Sequence, residues 1–141
     1  MIIDVKADEG FIPKYAHVHD AGADCRSVES VTIPPGDSVL VDLGFSISIP
    51  AWHVGLLFSR SGLSARYRIE VANGVGVIDP GYVGRVRAHL VNNSNKSYHI
   101  EKGDRVAQLV IQRVENAVFS PINALHTTPR GINGFGSTGK D

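Results

Sequence analysis

Five short segments of the chain set glycine beside side chains that can meet a phosphate or a sugar. They are Ala21-Gly22-Ala23-Asp24, Ser59-Arg60-Ser61-Gly62-Leu63, Gly76-Val77-Ile78-Asp79-Pro80-Gly81-Tyr82-Val83-Gly84, Gly103-Asp104-Arg105-Val106-Ala107-Gln108, and the stretch from Arg130 to Gly139. Glycine lets backbone N–H groups approach an anion closely, and arginine offers a planar fork that matches phosphate oxygens. A carboxylate such as Asp79 accepts a proton and two hydrogen bonds in fixed geometry, which suits a general base. None of the segments is a Walker loop, because the Gly-Lys-Ser/Thr ending is absent. Each also has a plainer reading. Asp79 could cap a turn before Pro80-Gly81, Tyr82 could pack across a strand, and Asn73 could be an ordinary turn residue. Gln108 could be a solvated strand position, and Asp24 a structural acid paired with Arg105 or Arg26.

In order and spacing the five segments resemble the five motifs of the trimeric dUTP pyrophosphatases, over nearly the whole chain. The resemblance implies hydrolysis of dUTP at the α-phosphorus, giving dUMP and pyrophosphate with magnesium. It implies Asp79 as the residue that orients and deprotonates the attacking water. Tyr82 would lie against the deoxyribose and leave no room for a 2′-hydroxyl. Asn73, with the backbone from Gly74 through Gly76 to Ile78, would read the uracil edge. Arg60, Ser61 and Gly62 would cradle phosphates from a neighbouring subunit of a homotrimer, joined by Gln108. Asp24 would help hold the magnesium complex through water, as magnesium keeps much of its hydration. In the tail, Arg130 would grip the γ-phosphate and Phe135 would stack on uracil. Ser137 and Thr138, beside Gly136, would donate to terminal phosphate oxygens. Such a tail would order over bound substrate and exclude water.

Three positions depart from the family pattern. Arg85 stands where a glutamate is usual, Ser59 replaces a proline before Arg60, and Cys25 replaces a leucine. Arg85 is expected to turn to an interface or to a phosphate, and the other two changes to be absorbed by packing. Two rival functions follow from the same fold. A dCTP deaminase needs a catalytic glutamate on the strand after the Asp79 loop, where Arg87-Ala88-His89-Leu90-Val91-Asn92 offers His89 and no acid. A non-enzymatic scaffold would be marked by decayed motifs, and none has lost its polar residues.

The elements that would position these residues are mostly strands. Phe45-Ser46-Ile47-Ser48-Ile49 alternates apolar and small polar residues, the period of a strand with one buried face. Val39 to Val41, Arg87 to Val91 and Val106 to Ile111 are runs of strand length, with Asn92 to Asn95 expected as a turn. Pro34-Pro35-Gly36-Asp37, Asp79-Pro80-Gly81 and Lys102-Gly103-Asp104 punctuate the strand ends. Only Ser61 to Arg68 suits a helix, of a turn or two. The pattern predicts an all-β, single-domain jelly-roll-like sandwich or barrel over 1–125, with a flexible glycine-rich arm over 126–141.

Bulk properties narrow the partners. At 141 residues the chain suits one domain with one core. Fourteen basic and 14 acidic residues balance, which argues against a broad footprint for nucleic acid or an anionic membrane. No stretch approaches the roughly 20 apolar residues that cross a bilayer, and the start lacks a signal-peptide layout. A lone cysteine, Cys25, forms no internal disulfide and, beside His17 and His19, makes a poor zinc set. A cytoplasmic or other reducing compartment is the expectation.

Overall fold

The computed structural model describes residues 1–134. Strands β1 (Val5–Ala7), β4 (Ser38–Ile47), β8 (Arg85–Asn92) and β6 (Ile69–Val71) form one sheet, in the order β1-β4-β8-β6. Strands β2 (Ala23–Arg26), β10 (Arg105–Arg113), β5 (His53–Ser59) and β7 (Val75–Ile78) form the second, in the order β2-β10-β5-β7. A two-stranded ribbon pairs β3 (Val31–Ile33) with β9 (Tyr98–Ile100). All of these pairings are antiparallel. The architecture is the jelly-roll-like sandwich that the strand pattern predicts.

Period-2 alternation drives the burial. In β8, Val86, Ala88 and Leu90 point into the core while Arg87 and His89 point out. Phe45, Ile47 and Ile49 are buried as their alternation requires, although the paired strand stops at Ile47. Inward residues of both sheets meet in one apolar cluster that includes Leu43, Phe45, Leu57, Leu90, Val106 and Leu109. Burying a side chain of this size stabilises the fold by about 1.5–3 kcal/mol. Cys25 belongs to that cluster, and burial pushes its thiol up to about 12, so it behaves as a small apolar residue.

Two positions depart from the simple pattern of apolar residues inside a regular ladder. Asn92, expected in a turn, is instead the fully buried last residue of β8. Its amide nitrogen donates to the Ile33 and Lys96 carbonyls, both at 2.8 Å. Its oxygen accepts from the Ser94 N–H and hydroxyl, so the buried amide is satisfied and ties β3 to the β8–β9 turn. In β4 the register against β8 jumps from Asp42↔Arg87 to Ser46↔Arg85, a bulge centred on Gly44 at φ +80°. A methyl there would sit 2.6 Å from both Phe11 and Val28, so glycine is required on steric as well as conformational grounds.

The one helix among the described residues, α1 (Ser61–Tyr67), follows β5 directly. Arg60 is its extended N-cap, and Arg68 ends it in the left-handed conformation at φ 56°. Leu63 is its buried anchor. Strand pairing ends at Arg113, and residues 115–134 are exposed with only turns. No helix among the described residues is long and apolar enough to cross a membrane.

Candidate active site

The hairpin from β6 to β7 crosses between the two sheets, since β6 pairs with β8 and β7 with β5. At its tip Gly74 takes φ +73°, and Asn73 Nδ2 donates to the Val75 carbonyl at 3.3 Å. Below the tip, Gly76 faces Leu57 so closely that a Cβ would lie 3.1 Å from the leucine Cβ. The hairpin, the loop after β7 and the start of β8 enclose a cleft of about 580 Å³. Asn73, Gly76, Ile78, Asp79 and Tyr82 line it, together with Arg85 and Arg87. Five residues singled out in the sequence thus share one cavity. The side chain of Ile78 is buried in the core, so any polar contact it makes is through its main chain.

Asp79 opens a tight turn. Its carbonyl accepts the Tyr82 N–H at 3.3 Å, Pro80 follows, and Gly81 supplies φ +87°, the signature of a type II turn. The turn is therefore closed by the Asp79 main chain, not by its carboxylate. That carboxylate is exposed, has no hydrogen-bond partner among the described residues, and is the only acid among those lining the cleft. Its capping role, the plainer reading of Asp79, is absent. Tyr82 is 49% exposed rather than packed in the core, and its hydroxyl donates to the Arg85 carbonyl at 2.9 Å.

The phosphate-type residues gather elsewhere, on the second sheet. Asp24, Gln108, Phe58 and Val75 are opposed in turn across β2, β10, β5 and β7, which puts their side chains on one outward face. Gln108 Nε2 donates to the Ser59 carbonyl at 3.0 Å, so it is not a freely solvated strand residue. Gly22 packs against it closely enough that a Cβ would overlap the amide oxygen. Arg60 Nε binds Asp24 at 2.9 Å, and Arg105 Nη1 takes the other carboxylate oxygen at 3.0 Å. Ser61 and Gly62 follow as exposed first-turn residues of α1, where helical N–H groups have no intrahelical acceptor. Arg26, the other partner considered for Asp24, donates instead to the Gly103 carbonyl.

This geometry speaks to the metal. Among the described residues no three His, Cys, Asp or Glu side chains group as a metal site. Each Asp24 oxygen already faces a guanidinium, a setting that repels a bare cation. The residues present do not fit a protein-ligated magnesium. Asp24 is paired with Arg105, as its plainer reading has it, and also with Arg60, a partner that sequence inspection missed.

Within the chain Arg85 is paired with two acids: its Nε sits 3.2 and 3.1 Å from the two oxygens of Asp42, and its terminal nitrogens hold Asp8 at 2.9 and 2.6 Å. Hydrogen bonds to Asp8 and then to Asp42 push the guanidinium further up, and the Arg85 hydrogen bond holds Asp8 below its ordinary carboxylate value. Ser59 also does more than fill space, since its hydroxyl accepts the Val71 N–H at 2.8 Å and ties β5 to β6. His89 is exposed, 3.0 Å from the Ser38 hydroxyl, and does not line the cleft. Arg130 is exposed in a local turn, donating to the Asn133 carbonyl at 3.1 Å. Phe135, Gly136, Ser137 and Thr138 lie outside the described residues.

A β-sandwich with an unpaired carboxylate in a nucleoside-sized cleft and a basic cluster on a nearby face defines a class of nucleotide-handling proteins. Comparison with known proteins makes that class specific. Residues 8–139 match the family model described as dUTPase, and the chain belongs to that family. It is 43% identical over 129 residues to a deoxyuridine 5′-triphosphate nucleotidohydrolase of Thermobifida fusca, covering 91% of this chain and 72% of that one. To the enzyme of the same name from Trichodesmium erythraeum it is 42% identical over 135 residues, covering 95% of each. The Staphylococcus bacteriophage 80alpha dUTPase with dUPNHPP superposes with a TM-score of 0.89 at 30% identity, covering 98% of both chains. A mutant dUTPase from phage phi11 of S. aureus, described as coordinating a structural Mg(II) ion, superposes at TM-score 0.82 and 26% identity, covering 90% of this chain and all of that one.

The Asp8–Arg85 pair carries a pH dependence. Unfolded, Asp8 titrates near its ordinary value of 3.8, and folded it titrates lower. The pair's contribution is thus complete above that ordinary value and fades as pH falls through the folded one. Thermal melts from about pH 6 to about pH 2 should show a shallower acid-side decline for Asp8→Asn than for the native protein. Equal slopes in the two proteins would remove this pair from the acid response.

Proposed function

We propose that the chain hydrolyses dUTP to dUMP and pyrophosphate, with Asp79 activating the water that attacks the α-phosphorus. The observation that carries the assignment to Asp79 is its carboxylate: exposed in the cleft, unpaired among the described residues, and standing on a turn closed by main-chain atoms alone. A base needs an oxygen free to accept a proton, and a rigid mount keeps it aimed. Water loses a proton to Asp79 as its oxygen bonds to phosphorus, and pyrophosphate departs with the bridging oxygen. Tyr82 would bound the sugar, and Asn73 with the backbone near Gly76 and Ile78 would read the base. Hydrogen-bonding groups placed for uracil's pattern are left unpaired by cytosine, which is how such a site discriminates. Among the described residues lining the cleft there is no second acid of the kind a deaminase would use, and the polar residues of the motifs are retained, against a purely structural role.

Arg60, Ser61, Gly62 and Gln108 would receive the triphosphate, with Asp24 holding Arg60 and Arg105 in place. These residues sit on the outward face of the second sheet, while Asp79 lies in the cleft between sheets. Neither half of the site is whole within one chain. A homotrimer in which one copy's basic cluster covers another's cleft joins them. Magnesium enters this reading as the counter-ion of the substrate's phosphates, not as a resident of the protein. The segment over 126–141 serves as the arm that closes the site, through Arg130, Phe135, Gly136, Ser137 and Thr138. A cytoplasmic or similarly reducing setting accords with Cys25, a free thiol buried in the core.

Asp79→Asn should bind dUTP normally and turn it over at least about a hundredfold more slowly, measured by pyrophosphate release. Near-native turnover would take Asp79 out of the mechanism. Removal of residues 129–141 should leave the melting temperature and oligomer size unchanged while crippling hydrolysis; a truncated protein with full activity would sink the closing arm. Asp79→Asn and Arg60→Ala proteins, each weak alone, should regain part of the native rate when unfolded together and refolded as mixed oligomers. If the mixture is only the average of its parts, the site is not shared between chains.

A further inference from the structure

We propose that the Asp8–Arg85–Asp42 clamp is a positioning device for Tyr82, and so sets how strongly the cleft refuses a ribonucleotide. The inference rests on the reading of Tyr82 as the residue that bounds the sugar, and deepens it.

Two backbone features define where the Tyr82 ring lies. Its hydroxyl donates to the main-chain oxygen of Arg85 at 2.9 Å. The ring itself lies over Gly84, where a Cβ would come within 2.7 Å of the hydroxyl and 2.8 Å of the ring carbon bearing it. The ring is therefore only as well placed as the backbone of residues 84 and 85.

The sheet holds that backbone through one registered pair, Ser46↔Arg85, cut off from the rest of the β4–β8 ladder by the bulge between Asp42 and Ser46. The Arg85 side chain adds to that isolated pair. Its guanidinium makes one forked contact, Nη1 and Nη2 on the two oxygens of Asp8, and shares its single Nε N–H between both oxygens of Asp42. Bonds from all three nitrogens hold a planar group against rotation as well as translation.

Both acids are anchored to the bulge itself, Asp42 through its carboxylate and Asp8 through its main chain. Asp42 Oδ1 accepts the Gly44 N–H at 2.8 Å, and the Asp8 N–H donates to the Gly44 carbonyl at 2.8 Å. Gly44 has no room for a side chain. A chain of contacts thus runs from an obligatory glycine through two acids and one arginine to the phenol in the cleft. All three guanidinium nitrogens are engaged by carboxylates of the scaffold. Arg85 is a positioning residue.

The test uses full-length protein and measures kcat/KM for dUTP and for UTP. Arg85→Gln and Asp8→Asn should lower the dUTP-over-UTP preference by about five- to tenfold, the scale of one lost hydrogen-bonded contact. UTP turnover should rise in absolute terms, which mere loss of stability cannot produce. Asp8 is exposed and lies outside the cleft, so Asp8→Asn carries the test if Arg85→Gln fails to fold. Tyr82→Phe keeps the ring and drops the hydroxyl contact; combined with Arg85→Gln it should lower the preference no further than the stronger single change. A native protein that is selective, with folded variants that keep its preference or a double variant whose effects simply add, overturns the clamp alone. A native protein that takes UTP as readily as dUTP overturns the reading of the cleft, and the clamp's role with it.

Discussion

Strand β5 pairs with β10 on one side and β7 on the other, and much of the site's layout descends from that double pairing. Through β10 it reaches β2, which sets Asp24 opposite Gln108 and brings Arg60, just past the end of β5, onto the same acid. Through β7 it holds the hairpin whose far end carries Asp79. Backbone hydrogen bonds in such a ladder are individually modest, about 0.5–1.5 kcal/mol, but they act together to fix register. A slip of one residue would turn Gln108 into the core and Leu109 into solvent. The apolar inner face forbids that slip, so the core that stabilises the fold also aims the polar residues.

The other sheet contributes through an irregularity. The bulge at Gly44 interrupts the β4–β8 ladder close to where β8 must present one wall of the cleft. Bulges recur beside active sites because they re-aim side chains that a regular ladder would point elsewhere. Here the interruption is spanned by a side-chain network. Ion pairs as exposed as Arg85 with Asp8 contribute little to stability singly. Their value lies in geometry, because a guanidinium held through all three of its nitrogens has few orientations open to it.

The two polar clusters are built on opposite principles. Asp24, Arg60, Arg105 and Gln108 satisfy one another or nearby carbonyls. Asp79 is left without a partner among the described residues, on a turn that needs none from it. Groups that hold a site in shape are paired; the group proposed to exchange a proton is kept free. A mount made of main-chain bonds gives Asp79 a fixed direction without engaging its oxygens.

Local chemistry made much of this legible in advance. Period-2 alternation announced the strands, Asp79-Pro80-Gly81 announced a turn, and the short run from Ser61 announced α1. Each is a property of neighbouring residues, so one sequence carries it. What remained hidden were contacts between distant residues. Arg85 reaches Asp8 and Asp42, 77 and 43 positions away, and that pairing follows from a bulge whose effect on register no local pattern encodes. Asn92 read as a turn residue because Asn-Asn-Ser-Asn has turn composition; the β3 ribbon, placed by tertiary packing, buries it. The sequence by itself determined the architecture, the turn under Asp79 and the residue types available for chemistry. Only the tertiary structure decided which of them meet, because side-chain partnership depends on register and register is settled by the whole core.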